Sequence, residues 1–306
     1  MRGIRTVRNV PRENLMIGGT SACQGCGAIL GQKLLLKALG RKTIVINTSG
    51  CMTLTALYPF TPYKVPWVHI AIETGGSAAT GVSMGLRALK KDSGVNIVVY
   101  AGDGASYDIG FESLSGLAER NEDVIYVVYN NSAFSNTGFQ RASSSPWGSR
   151  TTTTPPGPRN PEGNPVHRKD LAKIMAAHNV PYVATACVSY PVDYMNKLRK
   201  AAKLRGCKFI DLLTPCPTGW GFSNSDTVDV GRRTVDAGLW PLYEYDGLKK
   251  EFRVTVTPRF IPVKEALEGQ ARYRHLKPAQ VKTIQKRVDD MWKLLRQGKY
   301  FEADFY

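Results

Sequence analysis

Four of the six cysteines stand where chemistry is more plausible than packing. Cys23, Cys26, Cys51 and Cys216 lie in glycine- and proline-rich surroundings, whereas Cys187 and Cys207 sit at the edges of strand-like runs and read as small core residues. In a chain expected to be cytoplasmic, cysteines read first as metal or redox groups rather than a disulfide framework. Cys23-Gln24-Gly25-Cys26 is a C-x-x-C immediately before a helical pattern. By itself it fits zinc, a dithiol or half of an iron–sulfur site. The dithiol reading needs a small thioredoxin-like unit, and the context here is different. Cys51 follows the strand-like run Thr43–Asn47 within Thr48-Ser49-Gly50-Cys51, and Cys216 follows Lys208–Leu213 within Thr214-Pro215-Cys216-Pro217. In a doubly wound sheet the loops after the carboxyl ends of strands gather along one edge. Four thiolates meeting there would suit zinc or a [4Fe–4S] cube, and spacing alone does not choose between them.

A second constellation calls for a hard cation. Gly102-Asp103-Gly104-Ala105 follows the apolar run Asn96–Ala101, and Asn130-Asn131 ends the next run, Val124–Tyr129. Two parallel strands ending together would present a carboxylate, an amide oxygen and glycine amides to a single ion. Mg²⁺ takes about six oxygens and keeps phosphate or water among them. Asp103 and Asn131 supply two oxygens, a backbone carbonyl just beyond supplies a third, and Gly104 lets the main chain approach closely. The helix starting near Phe111 is expected to aim its positive end at the same place. A lone G-D-G is a weak signal. G-D-G and then N-N, each after a β run, is the pattern of a thiamine diphosphate site.

The elements that must position these groups alternate along the first two-thirds of the chain. Strands are expected at Thr43–Asn47, Trp67–Ala71, Asn96–Ala101, Val124–Tyr129, Tyr182–Cys187 and Lys208–Leu213, and helices at Gly27–Leu39, Ser77–Lys91, Phe111–Arg120, Arg168–His178 and Val192–Leu204. Repetition of strand and helix predicts an α/β fold with a doubly wound, mostly parallel sheet. The stretch 133–165 has no period, and a loop of that length inside a domain is usually functional. After Trp220 come short extended pieces such as Phe252–Thr257, then a helix over Pro278–Arg296 with a basic, solvated face. The expected division is a cofactor-binding domain over 1–220 and an extension over 221–306 that packs on the domain or on partner subunits.

Composition sets the class. The 306 residues are 42% apolar and 22% charged, ordinary for a globular protein able to bury its own core. No apolar run approaches the roughly 18–20 residues of a membrane span. The basic start, Met1 to Arg5, runs into Pro11 without an apolar stretch, so a cytoplasmic protein is expected. The net charge of +16 favours encounter with acidic partners. Neither a folded nucleic-acid motif nor a dense basic stripe is present, so an acidic protein or phosphate-bearing ligand is preferred to nucleic acid. The positives are spread over the N-terminal arm (Arg2, Arg5, Arg8, Arg12), the middle loop and the final helix with Lys282, Lys286 and Arg287.

Cys-Gln-Gly-Cys-Gly, Thr-Ser-Gly-Cys, Gly-Asp-Gly-Ala-Ser-Tyr-Asp-Ile-Gly, Ser-Asn-Thr-Gly-Phe-Gln-Arg and Pro-Cys-Pro-Thr-Gly-Trp occur in that order. Together they strongly resemble the β subunit of 2-oxoacid:ferredoxin oxidoreductases, the pyruvate synthase group, over about residues 15–270. The resemblance implies thiamine diphosphate, Mg²⁺ and one [4Fe–4S] cluster. It assigns Cys23, Cys26, Cys51 and Cys216 to the cluster. Asp103, the Asn131 side chain and the Ala133 carbonyl fall to Mg²⁺; Thr48, Ser49 and Gly50 border the diphosphate, and Asn136 lies near the thiazolium as the catalytic candidate. Gln24 stands where many relatives have proline and Asn130 where many have aspartate; neither removes a ligand. The implied reaction is oxidative decarboxylation of a 2-oxoacid, usually with coenzyme A, with electrons passing singly to ferredoxin in an anaerobic, cytoplasmic complex. Pyruvate is the default substrate, with oxalate and branched-chain oxoacids open. The glutamate that activates the aminopyrimidine must come from elsewhere, so sister subunits of the α, γ and δ type are expected and the chain is inactive alone. Two other readings stay open: a non-redox thiamine diphosphate decarboxylase half, and a non-catalytic four-cysteine zinc module.

The remaining candidates are weaker. His69, at a strand end, has no second ligand at metal or triad spacing and reads as structural, as do His167, His178 and His275. Glu73, before a glycine-rich helix start, reads as a cap. Ser143, Ser144 and Ser145 lack a G-x-S-x-G elbow. Trp220 stands as either a cover for the cluster or a packed aromatic.

Overall fold

The computed structural model describes residues 3–57 and 59–302; Arg2 of the basic arm lies outside them. Eight strands form one sheet in the order β2-β1-β3-β4-β6-β5-β7-β8. They are β1 Thr43–Thr48, β2 Trp67–Ile70, β3 Asn96–Gly102, β4 Ile125–Asn130, β5 Tyr182–Cys187, β6 Lys208–Leu213, β7 Leu242–Asp246 and β8 Glu251–Val256. The first six pair in parallel, and β7 and β8 continue the sheet antiparallel. The doubly wound, mostly parallel sheet expected from the alternation is therefore present. Strands β4, β5 and β6 are buried at every position on both faces; β4 and β5 are mostly apolar, while β6 carries Lys208 and Asp211 among apolar residues.

On one face lie α1 (Gly27–Leu39) and α5 (Pro191–Ala201), which pack against each other over Val45, Val98, Val127 and Ile210. On the other lie α2 (Gly75–Ala88), α3 (Phe111–Glu119) and α4 (Leu171–Ala177), over Ile46, Val99, Val128 and Phe209. Strand alternation sends neighbouring residues to opposite cores. Past Trp220 the chain forms α6 (Pro217–Trp220), α7 (Thr227–Asp236), α8 (Val263–Leu267) and α9 (Pro278–Arg296). The last of these buries Val288, Met291, Trp292 and Leu295 in the second core, with the Trp292 indole donating to Gly238 O. Its Lys282 and Lys286 are exposed, whereas Arg287 is half-buried beside Trp147 and His167. Arg287 thus does not belong to the solvated basic face expected of it.

The sheet order explains how the site is assembled. Strands β1, β3, β4 and β6 are consecutive neighbours, and all four end at the same edge. Each is followed at once by a residue of interest: Thr48-Ser49-Gly50-Cys51, Asp103, Asn131 and Thr214-Pro215-Cys216.

Candidate cofactor and cluster site

Asp103 anchors one half of the site. Its carboxylate is buried and accepts three hydrogen bonds: from Gly104 N (3.0 Å), Ala133 N (2.9 Å) and Ser144 Oγ (2.7 Å). Burial pushes its pKa up to about 7, against those three bonds and with Asp211 adding like charge. A carboxylate held neutral near pH 7 by desolvation is one that a bound cation would ionise. Asn131 Oδ1 accepts from Ser135 Oγ at 2.7 Å, and the same hydroxyl reaches the Ala133 carbonyl at 3.5 Å. Two of the three oxygens assigned to Mg²⁺, those of Asn131 and Ala133, thus share the loop after β4, which is tied to Asp103 through the Ala133 amide. Gly104 cannot be replaced there, since a Cβ would fall 2.3 Å from the Phe134 ring. Ala105 packs its methyl group into the core.

Helix α3 starts at Phe111 as expected, but an additional π-helical turn over Gly104–Ile109 stands between it and Asp103. Asp103 itself sits at the start of that turn, so its first free amide is spent on the Asp103 carboxylate.

The four cysteines line a single cavity of about 370 Å³, together with Asn131, Ser135, Asn136 and Thr214. Gly27, at the start of α1, makes this possible: a Cβ there would fall 2.7 Å from Pro215 O, so α1 seats directly on the loop that carries Cys216. Burial pushes the Cys51 thiol up to about 12, with like charge from Cys216, Cys26 and Asp103 adding to it. Burial likewise lifts Cys216 to about 11, against the Gly219 amide (3.3 Å from Sγ) and the Ser135 hydroxyl. Among the described residues no three His, Cys, Asp or Glu stand at metal-holding distances as they are. The donor set nonetheless fits a thiophilic centre, since buried, mutually repelling thiols gain most from a bound cation. Three buried hydroxyls without partners, on Thr48, Tyr129 and Thr214, lie at the same edge and suit an anionic ligand. Cys187 and Cys207 are fully buried in the cores, as their surroundings in sequence suggested.

Ser49 Oγ donates to Ile70 O (2.9 Å) and pairs with His69 Nε2 (2.8 Å), so His69 braces the strap Thr48-Ser49-Gly50 after β1. Thr48 is buried, and Gly50 N donates to Thr53 Oγ1. Asn136 is exposed on the cavity wall. Glu73 caps nothing: Thr74 holds the cap position of α2 without a side-chain bond, and Glu73 is exposed.

Several contributors were unreadable from sequence. Ser144 binds Asp103, Ser143 binds Asp108, and Ser145 donates to Ser132 O at 2.6 Å. The serine run is a clasp fastening the long loop onto the site. Trp220 is fully buried and its indole donates to Asn131 O at 2.7 Å, fixing the backbone at Asn131. Beneath the loop, Tyr107 and Asn130 both hydrogen-bond Asp211, Asn130 Nδ2 at 3.1 Å from Oδ1. The serines carry no local pattern, and the Trp220 and Asp211 contacts join segments 89 and 104 residues apart.

An open parallel sheet that gathers a G-D-G carboxylate and an asparagine amide at its carboxyl edge defines a thiamine diphosphate-binding enzyme domain. Residues 48–212 accordingly match the family model "Thiamine pyrophosphate enzyme, C-terminal TPP binding domain". The chain is 44% identical over 297 residues to pyruvate synthase subunit PorB of Methanocaldococcus jannaschii, covering 94% of this chain and 99% of that one. It is 46% identical to PorB of Methanothermobacter marburgensis with the same coverage. Against ketoisovalerate oxidoreductase subunit VorB of Pyrococcus horikoshii it is 40% identical, over 94% of each chain. The chain belongs to this PorB/VorB family, the thiamine diphosphate-binding subunits of 2-oxoacid:ferredoxin oxidoreductases, which work with partner subunits. A solved 2-oxoglutarate:ferredoxin oxidoreductase from Magnetococcus marinus, with 2-oxoglutarate, coenzyme A and succinyl-CoA bound, shares the fold. Its TM-score is 0.58 at 24% identity, over 74% of this chain and 73% of that one. Among the described residues no helix is long and apolar enough to cross a membrane.

Proposed function

We propose that this chain is the β subunit of a pyruvate:ferredoxin oxidoreductase and holds the diphosphate of its cofactor, a Mg²⁺ ion and one [4Fe–4S] cluster. The observation that carries the reading is the single cavity lined by Cys23, Cys26, Cys51 and Cys216 that also contains Asn131 and Asn136. It supports a cluster bound beside the cofactor, where electrons need travel only a short way. The likeness to PorB subunits supports pyruvate as the 2-oxoacid.

When bound, thiamine diphosphate supplies the carbanion chemistry of decarboxylation, which protein side chains cannot. Asp103, Asn131 and the Ala133 carbonyl hold Mg²⁺ and through it the diphosphate. The strap Thr48-Ser49-Gly50, braced by His69, closes over the diphosphate from β1. Asn136 faces the reacting end, and the four thiolates hold the acceptor. Residues 1–220 carry these contacts, while 221–306 complete the packing and meet sister subunits. Those subunits supply the groups that grip the substrate and activate the cofactor, and the assembled cytoplasmic complex uses coenzyme A and ferredoxin.

The test is anaerobic purification of the complex, with iron and sulfide analysis and ferredoxin reduction over a panel of 2-oxoacids with and without coenzyme A. A brown protein that oxidises pyruvate fastest supports the reading. A colourless protein containing zinc rejects the cluster. Preference for a branched-chain oxoacid or for oxalate rejects the substrate.

A further inference from the structure

Arg272 follows α8 in the 3₁₀ turn Ala271–Tyr273, and its side chain is buried. The guanidinium lies over the Trp220 ring, 3.5 Å from its centroid, and 4.8 Å from the centroid of Tyr273. Nε donates to Gln270 Oε1 at 2.9 Å. Nη1 is buried with no acceptor, and among the described residues no carboxylate pairs with this arginine. Burial draws its pKa down to about 10. A buried charge without a counter-ion is costly even after relaxation, and two aromatic faces and one neutral amide offset only part of that cost.

Its position suggests what anion is missing. Ala271 N donates to Gly221 O at 3.2 Å, clamping this turn onto the end of α6. Trp220 N donates to Cys216 O at 2.8 Å across α6, so the indole that the guanidinium covers belongs to the turn that Cys216 begins.

We propose that Arg272 is the fixed counter-charge of the cluster held by the four cysteines, raising its reduction potential by stabilising the more negative reduced form. This rests on the cluster reading above. Cluster potentials are set by net charge, hydrogen bonds and solvent exposure, and Arg272 acts through the first of these. A cation buried behind an indole is hardly screened, so its effect persists at high salt.

The test is a redox titration of the assembled complex, followed by the electron paramagnetic resonance signal of the cluster assigned to this subunit. Arg272→Met should keep its iron and shift the midpoint negative, by tenfold or more in the one-electron equilibrium, about 59 mV. Arg272→Lys, which keeps the charge and loses the planar stack, should stay within about threefold of wild type. The bland alternative is that Arg272 only braces Trp220 and hence Asn131. Cofactor affinity would then fall in both variants while the midpoint stayed put, which overturns the proposal. An equal shift in Lys and Met overturns it too. If the Met variant does not assemble, the Lys variant decides alone: a midpoint displaced tenfold rejects the charge role. A wild-type protein without iron fails the cluster reading itself; a wild-type cluster with an unmoved Arg272→Met midpoint fails only this inference.

Discussion

The two halves of the site are built in opposite ways. Around Asp103 nearly everything is satisfied by the chain itself: three hydrogen bonds reach the carboxylate, and Asn131 is held from two sides by Ser135 and Trp220. Around the cysteines little is satisfied. Four thiols come from three loops far apart in sequence; Cys216 is reached by Gly219 N and the Ser135 hydroxyl and Cys26 by backbone amides of α1, and like charge works against all of them becoming thiolates together. The first half resembles a preformed socket. The second is a set of ligands brought to one cavity and left for the bound group to draw together, as metal sites coupled to folding commonly are. The socket should therefore fail by losing affinity, the cavity by losing its contents.

The largest effect follows from removing the socket's charge. Asp103→Ala takes the carboxylate away from a cation that faces a polyanion, and Mg²⁺-dependent binding of thiamine diphosphate should vanish with the fold intact. Calorimetry on the purified chain checks it; an affinity within about threefold of wild type rejects Asp103 as a ligand. Next comes the cavity. Cys216→Ser should lose or degrade the cluster, while Cys187→Ser and Cys207→Ser, both in the cores, keep full iron. Equal iron loss in all three would show that the thiols lining the cavity are not its ligands.

The comparison sharpens at the clasp. Ser144→Ala leaves Asp103 with its two backbone donors and removes the third bond, so affinity for Mg²⁺ and thiamine diphosphate should fall by about tenfold, the scale of lost outer-shell support. Iron content should be unchanged. A Ser144→Ala variant that lost iron as well would mean the halves are not independent.

What the sequence made legible divides along the same line. Strands β1, β3, β4 and β6 were readable because both faces are buried and each carries a run of β-branched, aromatic or other apolar residues despite Asn47, Lys208 and Asp211; β5 and β6 even begin and end where expected. The groups at their ends were readable because a ligand must lie beside its strand terminus. Ser144, Trp220, Arg272 and Asp211 were not, since each acts on a residue more than 40 positions away and has no pattern of its own. The strand β7 was hidden for a related reason: Leu242–Asp246 carries a glutamate and an aspartate, and is a strand because β5 and β8 pair with it. The π-helical turn escaped because its bonds differ from those of α3 by one residue in register, which composition does not record.

The smallest expected effect tests what lies beneath the socket. Asp211 is fully buried on β6, with the Tyr107 hydroxyl donating to one oxygen and Asn130 Nδ2 to the other. Burial raises its pKa to about 6, against those two bonds and the charge of Arg168. Burial also keeps the Tyr107 hydroxyl protonated, so it remains a donor throughout the neutral range. An acid whose folded pKa lies above its unfolded value of 3.8 binds protons more tightly when folded. Its contribution to stability is therefore greatest below about pH 4, shrinks as pH rises toward 6, and is level above that. The amplitude is about 3 kcal/mol, since the shift runs from 3.8 to about 6 and a pKa unit is about 1.4 kcal/mol. Asp211→Asn has no proton to exchange, so its melting temperature should fall less steeply between pH 4 and 6 than that of wild type. The slope remaining in the variant up to about pH 7 belongs to Asp103 in the metal-free chain, and saturating Mg²⁺ with thiamine diphosphate should remove it by ionising that carboxylate. Parallel melting curves for wild type and Asp211→Asn across pH 4–6 would place the titrating group elsewhere, and the floor of the socket would then be neutral packing rather than a held proton.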